Sequence, residues 1–119
     1  MKFTFDSVVF HSNKLSEVRA FYEGKLGFSI GTFEKNGEQL PDHSESYINY
    51  QVGDALIGFE KEDSEIPQSS IGDLVIRVSE FETLKSKVKQ AAIPIVKESQ
   101  FFFMINDPEG RTLIFEPAR

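Results

Sequence analysis

The residues able to do chemistry in this chain are few and scattered. There are two histidines, His11 and His43, and no cysteine, so disulfides, thiolate metal sites and thiol nucleophiles are excluded. The serines have no nucleophile-elbow context, and two histidines at unrelated positions suggest no catalytic triad. The eight glycines occur singly and read as turn residues, with no phosphate-cradling loop among them. What remains is a set of oxygen and nitrogen donors: His11, Glu60, Asp73, Arg77 and Glu116. His11 ends a strand and reads first as a solvent-edge or hydrogen-bonded histidine; His43, in Pro41-Asp42-His43, reads as a surface residue. A metal site from His11 and Asp73 with Glu116 or Glu60 requires strand registry to gather them. Asp73 and Arg77 lie on one strand face, about 13 Å apart by strand rise, so each is expected to pair across strands or with water.

Short strands and helices must position these groups. Residues 3–11 alternate, with Phe3, Phe5 and Val9 on one side and Val8 and Phe10 on the other, as in a strand buried on both faces. Asn13 is a cap former ahead of a helix. In that helix Leu15, Val18, Phe21 and Leu26 make an apolar stripe, and Gly27 stands where a left-handed C-terminal residue belongs. Residues 28–34 read as a strand, and Asn36-Gly37 opens a polar loop through Pro41 and His43. Residues 46–52 and 55–60 form a hairpin joined at Gly53-Asp54. Residues 61–70 are polar, contain a proline and read as a linker.

Beyond that linker the order starts again. With Ser7 laid on Asp73, Val8-Val9-Phe10 meets Leu74-Val75-Ile76, Asn13 meets Ser79, Leu15 meets Phe81 and Val18 meets Leu84. Ser79 with Glu82 has the form of a capping box. Residues 94–100, 101–105 and 112–116 supply three further strands, the last preceded by an Asp107-Pro108-Glu109-Gly110 turn. The pattern predicts an α+β chain of two β-α-β-β-β modules, residues 1–60 and 71–119, within one domain. Each sheet has a helix on one side, and a mixed sheet curled into a cup, covered by a ligand or a partner, accounts for the other.

Composition narrows the partners. A formal net charge of −6 with scattered basic residues argues against a nucleic-acid or anionic-membrane surface. Lys85, Lys87 and Lys89 alternate with other residues on a helix, an ordinary solvated face. Twelve Phe and no Trp put the aromatic weight into packing. Met1-Lys2-Phe3-Thr4-Phe5-Asp6 lacks the uninterrupted apolar run of a signal peptide, and nothing approaches membrane-spanning length. A soluble cytoplasmic protein is expected.

The opening strand, then Leu15-Ser16-Glu17-Val18-Arg19-Ala20-Phe21-Tyr22 and Leu26-Gly27-Phe28, resembles the start of the vicinal oxygen chelate superfamily. That group contains glyoxalase I, extradiol dioxygenases, fosfomycin-resistance transferases and bleomycin-resistance proteins. Asn106-Asp107-Pro108-Glu109-Gly110-Arg111-Thr112-Leu113-Ile114-Phe115 is similar to its final turn and strand. The resemblance implies a cup, usually in a homodimer, where His and Glu side chains hold one divalent metal. The family's histidine positions fall on Ser7 and Asp73, and its final-strand glutamate falls on Ile114. Serine is a poor divalent ligand and isoleucine is none, so the inherited metal site is expected to be absent.

If Ser7 faces the cup, alternation brings Val9 and His11 with it; Asp73 brings Val75 and Arg77, and Ile114 brings Thr112 and Glu116. The expected ligand-binding set is therefore Ser7, Val9, His11, Asp73, Val75, Arg77, Ile114 and Glu116, with Tyr47 or Asn49 as further candidates for the lining. The expectation is a protein that binds a small organic molecule in its cup, without a metal and with no bond made or broken. The alternatives are a metal-dependent lyase, isomerase or dioxygenase with relocated ligands, and an interaction module whose cup is filled by its own Phe side chains.

Overall fold

The computed structural model describes residues 1–3, 6–63 and 73–118. They fall in two compact units, Met1–Ile66 and Pro67–Arg119. The first contains β1 (Ser7–Ser12), α1 (Leu15–Arg19) running into a π-helical stretch (Ala20–Lys25), β2 (Ser29–Ile30), β3 (Thr32–Lys35), β4 (Glu38–Pro41), β5 (Tyr47–Val52) and β6 (Ala55–Lys61). Its main sheet has the order β1-β6-β5-β2, with β1 parallel to β6 and the other pairs antiparallel. The second contains β7 (Asp73–Val78), α2 (Phe81–Gln90), β8 (Lys97–Glu98), β9 (Phe103–Asn106) and β10 (Thr112–Pro117). Its order is β7-β10-β9-β8, again with only the first pair parallel. Each unit is thus α+β, and the two share one strand order.

The apolar stripe of the first helix buries Val18, Phe21, Tyr22 and Leu26 against Ile48, Tyr50, Ile57 and Phe59 of the sheet. Tyr22 centres this layer: its ring lies 4.8 Å from that of Phe59, 5.3 Å from Phe28 and 5.8 Å from Tyr50, each pair contributing about 0.5–1.5 kcal/mol beyond area burial. The Tyr50 hydroxyl donates to Glu23 Oε1 at 2.9 Å, and Arg19 Nε donates to the same oxygen at 2.8 Å. Burial and the bond to Glu23 push the Tyr50 phenol well above its ordinary range, and the bond to Glu23 raises Arg19. In the second unit Phe81 and Val88 of α2 are buried with Phe103, Ile105, Leu113 and Phe115.

Several local expectations are corrected. The helix is α for one turn only; Leu26 N–H donates to Phe21 O at 3.0 Å, the wider i→i+5 closure of a π-turn, before Gly27 reverses the chain at φ +78°. Asn13 and Ser79 are not the N-cap residues. The N-cap residues are Lys14 and Glu80, neither with a side-chain cap bond, while Ser12 Oγ accepts from Lys14 N–H at 3.1 Å. The strand expected over 28–34 breaks at buried Gly31, and Asn36-Gly37 is a tight hairpin turn rather than the mouth of a loop. Its φ values of +52° and +81° are those of a type I′ turn, which suits the twist of paired strands. β1 starts at Ser7, with Phe3 outside it and exposed; residues 4 and 5 lie outside the described residues, as does residues 64–70 of the expected linker.

At the head of β10 the turn is locked by buried charge. Asp107 Oδ1 accepts from the N–H groups of Glu109 and Arg111, both at 2.9 Å. Its Oδ2 meets Arg111 Nη1 at 3.0 Å, and Nη1 also reaches Glu109 Oε1 at 3.0 Å. Burial opposes the guanidinium charge, but Asp107 and Glu109 outweigh it and hold Arg111 above its ordinary value.

Two outcomes test this packing. Asp107→Ala, which leaves the buried Arg111 cation short of its main partner, is expected to cost about 3–5 kcal/mol in urea unfolding; Glu109→Ala should cost less. Glu23→Leu, which strands the Tyr50 hydroxyl, is expected to cost about 1–3 kcal/mol, and Tyr50→Phe about 0.5–1.5 kcal/mol. Because the folded state holds the Tyr50 proton above the ordinary pKa of 10.0, its contribution is present below that pH and lost above it. Tyr50→Phe should therefore flatten the alkaline fall in stability.

Candidate functional site

Burying one parity of each strand under a helix leaves the other parity on an open face. In the first unit Ser7, Val9 and His11 of β1 stand beside Leu56, Gly58 and Glu60 of β6, which in turn face Gln51, Asn49 and Tyr47 of β5. In the second, Asp73 stands beside Thr112, Val75 beside Ile114 and Arg77 beside Glu116, with Asn106 and Met104 of β9 continuing the rows. All eight expected ligand-binding residues lie on these open faces, three on the first unit's sheet and five on the second's.

The expectation that β1 is buried on both sides is corrected. Val9 is 50% exposed and Val75 60% exposed, and His11 is exposed. Each open face therefore has an uncovered branched aliphatic residue among polar ones. The phenylalanines of these sheet strands, Phe10, Phe59, Phe103 and Phe115, have the opposite parity and pack on the helix side. These four do not fill the open faces.

The polar groups differ in how firmly they are held. Arg77 Nε lies 3.8 Å from Glu116 Oε1, both about half exposed, a contact worth little in water. Asp73 and Arg77 do not pair with one another. Thr112 Oγ1 donates to Asn106 Oδ1 at 3.4 Å. The first unit holds a firmer group. Asn49 Nδ2 donates to Asp42 Oδ2 at 2.8 Å, Asn49 N–H donates to Asp42 O at 3.1 Å, and Asp42 N–H donates to Gly31 O at 2.8 Å. The Tyr47 phenol is raised, by desolvation first and then by the charge and hydrogen bond of Asp42. Tyr47 and Asn49 were both open candidates from parity. Asp42 was hidden in what read as a loop, and the signal for it was a lone glycine, Gly58, inside a strand rather than at a turn. His43 is exposed and bridges to Ile48.

These donors do not fit the metal site of a glyoxalase. The three positions at which the resemblance would place ligands hold a hydroxyl, a carboxylate and an aliphatic chain, in Ser7, Asp73 and Ile114. Among the described residues no three His, Asp or Glu side chains gather as a metal would require. A shallow depression of about 560 Å³ lies elsewhere, lined by Lys89 and the 92–98 connection; it is surface relief beside α2 and contains none of the open-face residues. Among the described residues no helix is long and apolar enough to cross a membrane.

No family model matches the chain, and no curated protein matches it in sequence. Solved structures do match. A glyoxalase/dioxygenase from Nostoc punctiforme superposes with TM-score 0.78 at 12% identity, covering 98% of this chain and 91% of that one. A virulence protein from Salmonella typhimurium gives 0.71 at 23% identity, covering 100% and 99%. An antibiotic-binding protein from a Streptomyces species gives 0.70 at 11%, covering 99% and 98%. At these identities the likeness is one of fold. The chain has a glyoxalase-like fold.

If the open faces are uncovered in solution, Val9→Thr and Val75→Thr should each change stability by no more than about 0.5 kcal/mol. Val18→Thr and Val88→Thr, at fully buried positions, should cost several times more because each buries a new hydroxyl. Equal costs in a denaturant series would mean that another surface covers the open faces.

Proposed function

We propose that this protein binds a small organic molecule on the open faces of its sheets and releases it unchanged. The observation that carries the reading is the uncovered aliphatic centre of each face, Val9 in one and Val75 in the other, surrounded by polar groups able to orient a guest. Apolar surface with a few convergent polar atoms is the usual composition of a small-molecule site. On the first unit's face Ser7 and His11 would orient a ligand over Val9; on the second unit's face Asp73, Arg77 and Glu116 would orient one over Val75 and Ile114. Support also comes from the antibiotic-binding protein among the structures of like fold. The reading needs no metal, because the family's ligand positions at Ser7 and Ile114 lack suitable donors. It takes the protein as a cytoplasmic homodimer, with twice the chain mass of 13.5 kDa in light scattering.

Thermal unfolding against a library of aromatic and cationic small molecules tests the proposal. A ligand at one hundred times its Kd should add about 2.7 kcal/mol, and Val9→Asp or Val75→Asp should remove that gain. A library without a stabilising member, or a gain indifferent to both substitutions, would overturn the reading. Stoichiometric divalent metal in untagged protein, lost on Asp73→Ala, would assign the chain instead to the lyase, isomerase or dioxygenase class.

A further inference from the structure

The two sheets share one strand order, and on their open rows one pair of facing positions differs most in size. On β10 and β9 the partners level with Val75 are Ile114 and Met104. At the matching place in the first unit, level with Val9, they are Gly58 and Asn49. The glycine is not there for its backbone, since Gly58 is absent from the glycines with positive φ. It is there for space: a Cβ at Gly58 would collide with Asn49 Oδ1. The carboxamide therefore lies across the bare backbone of β6, where the second unit carries two large apolar side chains.

The orientation of that amide follows from chemistry. Asp42 Oδ2 receives Asn49 Nδ2 at 2.8 Å, and an ionised carboxylate only accepts, so the NH₂ group must point to Asp42 and the oxygen away from it. Asn49 Oδ1 is left over Gly58, in the space a Cβ there would share with Val9 Cγ2, with no protein donor to it among the described residues. Asp42 comes from a segment that the second unit lacks. Residues 31–46 separate β2 from β5, whereas residues 99–102 separate β8 from β9. A glycine, an asparagine and an inserted hairpin thus cooperate to present one fixed acceptor at the middle of an open face. On that side of β1, β6 and β5 there is no lysine or arginine, and Glu60 adds a carboxylate in line with Tyr47.

We infer that Asn49 is the specificity-determining residue of the first unit's face, and that this face takes an organic cation bearing N–H donors, of the amidinium or ammonium kind. Asn49 Oδ1 accepts from the head group, Glu60 balances its charge, and Val9 lies under its apolar body. The inference rests on the reading of this face as a small-molecule site and adds the class of ligand.

Benzamidine and benzoate, flat molecules of matched shape and opposite charge, make the test, titrated into the ¹⁵N-labelled full chain. The expected result is saturable shifts of the Asn49 side-chain amide and the Val9 and Gly58 backbone amides with benzamidine, at least about ten-fold tighter than with benzoate. Asn49→Leu should weaken benzamidine about ten-fold. Gly58→Ala should weaken it too, by displacing the carboxamide. Glu60→Gln, at an exposed position, should weaken it without lowering the unfolding midpoint, which separates binding from folding. Tighter benzoate binding on the same residues would overturn the cation assignment and leave the small-molecule reading standing. Failure of both probes to shift this face would overturn both. Benzamidine binding that is indifferent to Asn49→Leu would remove Asn49 from its role.

Discussion

Each candidate side chain faces outward because its neighbour in sequence is buried. A strand has only two faces, and Val8, Phe10, Ile57, Phe59, Ile48 and Tyr50 commit one of them to the helix. Ser7, Val9, His11, Gly58, Glu60 and Asn49 follow with no freedom left. A slip of one residue would exchange the two sets, taking several aromatic rings into water, so the hydrophobic layer around Tyr22 indirectly fixes the chemistry of the opposite face. The charged lock at Asp107 and Arg111 does a related job in the second unit, setting where β10 begins and so which of its residues stands beside Val75.

Much of this was legible in the residues themselves. Alternation placed Ser7, Val9 and His11 together, and likewise Asp73, Val75 and Arg77, because period two in a half-buried strand is strongly enforced. The duplication was legible because both halves need the same apolar positions, and the final turn because Asp107, Pro108 and Gly110 each serve a turn for a separate reason. The π-turn was not legible, since its apolar spacing passes for that of an ordinary helix. The caps failed because Asn13 and Ser79 look right locally while the chain enters each helix one residue later. The β3–β4 hairpin is harder to read although Asn36-Gly37 is a strong hairpin signal, because its short flanking strands are mostly polar and mostly exposed. Asp42 went unseen with it, its role being defined by a partner on another strand.

The two units also show how a duplicated sheet diverges. The core parity keeps its character, with aromatic and branched residues in both. The open parity does not: serine stands opposite aspartate in the repeat, histidine opposite arginine, glycine opposite isoleucine. Such change is cheap where side chains meet water and dear where they meet a helix. Ser7, Asp73 and Ile114 all lie on the open parity, so substitution at these positions leaves the packing under the helices untouched.

One property of the strand order bears on how the molecule is made. In each sheet the strand that comes first in the chain pairs only with the one that comes last, in parallel, whereas β5 and β6 meet across a tight turn. Closing the long span between the ends of a unit costs more entropy than closing a hairpin. A nascent chain must accordingly hold its earliest strand in waiting until synthesis has nearly passed the unit, and Ser7, His11, Asp73 and Arg77 all ride on those late-docking strands.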